Sequence, residues 1–193
     1  MANHLHHAVR GYKADRVKYL LQTGLSVNSK DSKGNTILLQ ALRMEDAVKR
    51  RRMVRYLLRH GADPMDTDDQ NGRDALSWAC ALGRGAEVKT FLRVAPGEYD
   101  FQKTDHQGLT ALHHAVQSMD TEVVTMIAEE MRRLWVSVDV PDSNGLTPYL
   151  LALKLGLVKI AEILRENGAS RNQADSKRFQ NGDCWLKCGK AER

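Results

Sequence analysis

The chain has 193 residues, 42% of them apolar and 27% charged, with a formal net charge of +5. That length suits one ordinary domain or a short repeat array, and the apolar share excludes a wholly disordered chain. A charge excess this small matters only where it clusters, and aromatic residues at 6% are too few for a large aromatic-lined cofactor cavity.

The opening residues, MANHLHHAVRGYKAD, contain no apolar run of the kind that forms a secretory leader. The longest apolar stretch, YLLALKLGLVKIAEIL, is broken by Lys154 and Lys159 and is too short to span a bilayer. Cys80, Cys184 and Cys188 are a sparse and odd set, which suits a reducing compartment. The expectation is an intracellular protein, cytoplasmic or nuclear, without membrane contact.

In chain order the elements repeat. A first unit, about residues 3–30, opens on LHHAV and continues as RVKYLLQTGLSVNSK. The second (31–66) opens on DSKGNTILLQAL, the third (69–104) on DQNGRDALSWAC, the fourth (105–141) on DHQGLTALHHAV and the fifth (142–174) on DSNGLTPYLLAL. Gly34, Gly72, Gly108 and Gly145 recur at intervals of 38, 36 and 37 residues. Within a unit, Ala8 to Val17, Ala79 to Val88, Ala115 to Val124 and Ala152 to Ala161 each span nine residues, whereas Ala41 to Val54 gains four that include KRRR. Residues 175–193 read as a polar tail, with Phe179 and Trp185 expected to fold back on the last helices.

Each unit reads as a turn and two helices. The recurring glycines supply a backbone position that tolerates positive φ. Thr36, Asp74, Thr110 and Thr147 follow two residues later and can cap the first helix; Pro148 fits its first position, where no N–H is needed. Ala41, Ala79, Ala115 and Ala152 are small enough for two antiparallel helices to approach closely. YLL, FL, MIA and EIL then give the second helix an apolar stripe. One unit cannot bury both faces, but stacking five makes a continuous core, and no recurring β-branched strand supports a βαβ alternative.

Several stretches invite chemistry. Asp105, His106, His113 and His114 could be metal ligands or an acid–base set, but His113 and His114 are adjacent and face different ways on a helix. HLHH at 4–7 and the Cys184/Cys188 pair lack a second ligand pair at zinc-finger spacing. DPMDTDDQNG lacks the glycine and glutamate register of a calcium loop. No nucleophile elbow, phosphate loop or dinucleotide fingerprint occurs. Neither catalysis nor a cofactor, metal or small-molecule substrate is expected. KRRRMVR, 49–55, is the densest basic cluster and reads as an exposed helix start, an import signal or a dock for an acidic partner. Nucleic acid fits less well, because stacking aromatics are absent around it.

Period, Thr-x-Leu, small alanines and the closing Gly-Leu-Ser-Val-Asn, Gly-Ala-Asp-Pro and Gly-Ala-Ser-Arg-Asn together resemble the ankyrin repeat, over about residues 3–174. The resemblance implies an all-α solenoid of about five helix-turn-helix repeats with finger-like hairpin loops. The third and fourth repeats depart from it: Ala95 and Met131 stand where the closing glycine is expected, and both repeats carry extra residues before the next turn. His113, and His6 at the matching place, correspond to a histidine that ties neighbouring turns by hydrogen bonds.

The function implied is a non-catalytic, monomeric protein-interaction module that recognises a partner through its concave groove and fingers. A regulatory or inhibitory subunit masking an enzyme or transcription factor is the alternative. Carried over position by position, groove residues include Arg43, Arg73, His106, Leu109, Gln117 and Leu146. Tyr99, Phe101 and Trp135 are aromatics in the two longer fingers and are expected to be contact residues. Asn28 and Asn172 each follow a leucine by eight residues, as in asparagines that a hydroxylase modifies in this family, although Ser26 and Arg171 depart from the usual neighbours.

Overall fold

The computed structural model describes residues 2–170, with side chains from residue 4 onward. Asn172, Phe179, Cys184, Trp185 and Cys188 therefore lie outside the described residues. The described chain is helical, with no strand assigned. Inner helices α1 (Ala2–Arg10), α3 (Ile37–Leu42), α5 (Ala75–Ala81), α7 (Ala111–Gln117) and α9 (Pro148–Lys154) pack one on the next. Each is followed by an outer helix: α2 (Ala14–Gln22), α4 (Ala47–Arg59), α6 (Gly85–Val94), α8 (Thr121–Arg133) and α10 (Val158–Glu166). The fold is an all-α solenoid of helix pairs.

The caps form at the residues whose types suit them. Thr36, Asp74, Thr110 and Thr147 accept from the amides of Leu39, Ser77, His113 and Leu150, and Pro148 occupies the first turn of α9. Ala8, Ala41, Ala79, Ala115 and Ala152 are fully buried, which is how inner and outer helices come so close. Around them Leu5, Leu38, Leu57, Phe91, Leu112, Ile127 and Leu164 form one continuous core across the repeats.

Four details differ from the sequence expectations. The third turn starts at Asp68, not Asp69: Asp68 is 1% exposed, exchanges backbone hydrogen bonds with Arg73 and Gly72, and leaves the exposed Asp69 to meet Lys30 at 2.7 Å. This turn holds one residue more than the others, a difference hidden by the adjacent pair of aspartates.

The KRRR run is not uniformly exposed. Asp46 caps α4 a full turn early, so α4 has 13 residues where α2 has nine. Arg50 then points inward at 5% exposure, with its Nε 3.0 Å from Glu87 of α6 and its Nη1 on the carbonyls of Met44 and Glu45. The inserted cation is structural, while Lys49, Arg51 and Arg52 remain exposed.

Tyr99 and Phe101 are core residues, 6% and 2% exposed, with ring centroids 6.3 Å apart. They anchor the third loop beneath the repeats and are not available to a partner. Burial pushes the Tyr99 phenol well above its ordinary value.

The fourth repeat has no longer loop. Its outer helix α8 runs on through Met131 to Arg133, and the closing position passes to Trp135. The amide of Trp135 donates to Arg132 O and that of Val136 to Met131 O, the same paired bonds that Gly24, Gly61 and Gly168 make at the ends of α2, α4 and α10. Those glycines have φ of 87°, 83° and 100°; Trp135 is held at 57°. A tryptophan pays a steric cost there that glycine does not.

Two outcomes follow. Trp135→Gly should raise unfolding stability by about 1 kcal/mol, measured by urea denaturation, because the αL position no longer carries a Cβ. Arg50→Ala should lower it by roughly 3 kcal/mol by leaving Glu87 buried without its cation, and Arg50→Met combined with Glu87→Leu should recover most of that loss.

Candidate functional site

The inner face is built from the turns and the exposed edge of the first helices, and its geometry starts at the turn aspartates. Asp105 Oδ1 accepts the amides of Gln107 and Leu109, both at 2.9 Å. Its Oδ2 accepts Arg73 Nε at 2.7 Å from the preceding turn and His114 Nε2 at 3.0 Å from the following helix. Burial raises the Asp105 carboxyl pKa, but the Leu109 amide, Arg73 and the Gln107 amide outweigh it and hold the group below its ordinary value.

The two histidines have separate structural tasks. The Thr110 amide donates to His113 Nδ1 at 3.2 Å, which places the ring proton on Nε2, and that nitrogen donates to Leu146 O of the next turn at 2.9 Å. His6 Nε2 makes the matching bond to Asn35 O at 3.1 Å. Burial lowers the pKa of His113, and burial together with Arg73 takes His114 down to about 4. Among the described residues, no three His, Cys, Asp or Glu side chains are grouped to hold a metal. Cys80 is buried, and burial raises its thiol pKa far above the reactive range.

A feature of this face that the motif reading passed over is Trp78. Its Nε1 donates to Asp68 Oδ1 at 3.1 Å, and the guanidinium carbons of Arg43 and Arg73 lie 5.3 and 5.0 Å from the ring centre. The sequence held a signal for it: Trp78 stands four residues after its cap, in the register of Gln40 and His114. All three donate a side-chain N–H to the aspartate of their own turn.

The expected contact residues divide. Arg43 and Arg73 are brought together by Trp78. His106 is exposed, with its amide on Asn71 O at 2.8 Å and its ring against Gly72, whose φ of 72° favours glycine. Gln117 is exposed at the end of α7. Leu109 and Leu146 are corrected: they are 8% and 7% exposed, because their amides close the turns onto Asp105 and Asp142 and draw the side chains in. Trp135 is 96% exposed at the end of an outer helix, and Met119, Leu153, Leu155 and Val158 are exposed around the inner-to-outer turns of the last two repeats. Asn28 is exposed, yet its side chain bridges Gly61 O and the Asp63 amide at 3.0 and 2.8 Å.

A stack of helix pairs tied turn to turn, with an open polar inner face, defines a repeat scaffold. A family model for ankyrin repeats in three copies matches residues 2–68, 47–133 and 76–175, and the chain belongs to the ankyrin repeat family. It is similar to Rabankyrin-5 of Homo sapiens, 27% identical over 169 residues, 88% of this chain and 14% of that protein. Ankyrin repeat domain-containing protein 63 of Mus musculus is 30% identical over 130 residues, 67% of this chain and 32% of that protein. Palmitoyltransferase AKR1 of Lachancea kluyveri is 28% identical over 176 residues, 90% of this chain but only 23% of that protein. The chain thus spans a minor part of each relative's length. Ankyrin repeats generally mediate protein–protein interaction and are typically non-catalytic. Among the described residues, no helix is long and apolar enough to cross a membrane.

The neutral histidine gives a pH signature. His114 titrates near 6.5 when unfolded and near 4 when folded, so the unfolded chain binds more protons between those values. Its contribution to stability is complete above that window and is lost as pH falls through it. His114→Gln keeps an N–H for Asp105 but removes the titration. Urea melts of this variant should therefore show a shallower loss of stability between about pH 6.5 and 4 than the wild-type chain.

Proposed function

We propose that the protein is a non-catalytic adaptor that seats a partner protein on the inner face, between Arg43 and Gln117, with Trp135 as an outlying contact. The observation that carries this reading is Trp78 held against Arg43 and Arg73: an aromatic–guanidinium cluster, partly open, on the face that the turns leave uncovered. Arginine and tryptophan are the side chains in which binding energy most often concentrates. Trp135 adds support of a different kind, since a tryptophan that is 96% exposed at φ 57° costs stability without any return within the described fold.

In this reading the rings of Tyr99 and Phe101 stiffen the scaffold, and the buried Leu109 and Leu146 set the spacing of the turns. Asn28 is a candidate for hydroxylation; its bonds to Gly61 and Asp63 would have to open for an enzyme to reach it.

The test is capture of a partner on the immobilised chain, followed by affinity measurement with single variants. Arg43→Ala and Trp135→Ala should each weaken binding by about 2 kcal/mol while the melting temperature stays at or above the wild-type value. Full affinity in Arg43→Ala, Gln117→Ala and Trp135→Ala alike would move the partner site elsewhere and sink the reading.

A further inference from the structure

The cations of the inner face are unequally used. Arg73 is neutralised by Asp105, Lys30 by Asp66 and Asp69, and Lys49 by Asp46. Arg10, Lys33 and Arg43 are exposed and have no carboxylate at ion-pair distance among the described residues. These three line one open depression across the first two repeats. The carboxylate that also lines it, Asp31, is committed: it accepts the amides of Lys33 and Asn35 and the side chain of Gln40. Arg10 and Arg43 also border a second depression with Glu45 and Asp46, neither within ion-pair distance of them; Asp46 there pairs with Lys49 and caps α4.

Arg43 is also preorganised. Stacked over an indole, a guanidinium keeps its in-plane N–H fork available for a carboxylate. The aromatic rings beside the depression are already covered by cations, Trp78 by Arg43 and Arg73 and Tyr12 by Lys49 at 5.8 Å. Single-stranded nucleic acid is held by stacking its bases on such rings, so their occupancy argues for carboxylates instead.

We propose that this depression binds an acidic peptide segment of the partner protein, whose carboxylates meet the Arg43 guanidinium with Arg10 and Lys33 on either side. The proposal rests on the adaptor reading and specifies the partner's chemistry. Binding of this kind is steered by charge and weakens with salt.

The probe is a fluorescein-labelled peptide of alternating glutamate and leucine, with a matched peptide carrying glutamine at every glutamate, titrated with the full chain by anisotropy. The glutamate peptide should bind at least about tenfold more tightly than its glutamine match, and its affinity should fall with added salt. Arg43→Gln, and Arg10→Gln combined with Lys33→Gln, should each cost about tenfold with unchanged melting, and Arg43→Lys should recover only part of the loss. Equal binding of the two peptides, indifference to all three cations, or tighter binding of a single-stranded oligonucleotide through the same cations would overturn the proposal. If the peptide fails while partner capture still depends on Gln117 and Trp135, the acidic-segment inference alone falls. If capture ignores every inner-face substitution, the adaptor reading falls with it.

Discussion

The second to fifth repeats of this protein are each organised around a buried or half-buried aspartate that closes the turn. Asp31, Asp68, Asp105 and Asp142 each accept backbone amides from the residues that follow them. In the middle three repeats a side chain at one fixed register of the next helix, Gln40, Trp78 or His114, donates to the same carboxylate. The carboxylate therefore sets the angle between turn and helix, and that angle sets which residues the inner face presents. In the last repeat the register position is Leu151, and Asp142 receives no helix donor.

Ties between repeats use the same atoms in a second role. Arg73 reaches forward to Asp105, Lys30 reaches to Asp69, and the histidines of α1 and α7 donate to carbonyls of the following turns. A repeat solenoid has only nearest-neighbour interfaces, so each such bond contributes to cooperativity along the stack. His113 can serve in this way only while neutral and fixed in one tautomer, which excludes it from acid–base or metal chemistry. Asp105, His113 and His114 are thus all engaged in holding the scaffold.

The periodic features were legible in the sequence because they depend on local backbone needs. Threonine or aspartate caps, alanines at the helix crossing and glycines at positive φ all recur with the repeat, and the structure places them in those roles. The candidate contact residues were less legible, since contact depends on which way a side chain is turned by its neighbours. Leu109 and Leu146 occupy finger positions yet are drawn inward by the amide bonds of their own turns. Tyr99 and Phe101 were read as finger aromatics, but the extra residues of the third repeat form a loop that folds down and buries them.

By itself the sequence determined the repeat: its period, its caps, its small crossing residues and hence an all-α stack, because each of these follows from hydrogen bonding and sterics within a few residues. Only the tertiary structure decided which charges are spent. Arg50 and Glu87 are 37 positions apart, and the burial of their pair follows from an early cap at Asp46 and from the packing of α4 against α6. Trp135 becomes exposed at an αL helix end because α8 runs one turn further than α2, which local pattern matching read as a longer loop. Arg43 and Arg73 meet on Trp78 from two different repeats. Long-range packing fixes such juxtapositions, and the periodicity of a single chain carries no record of them.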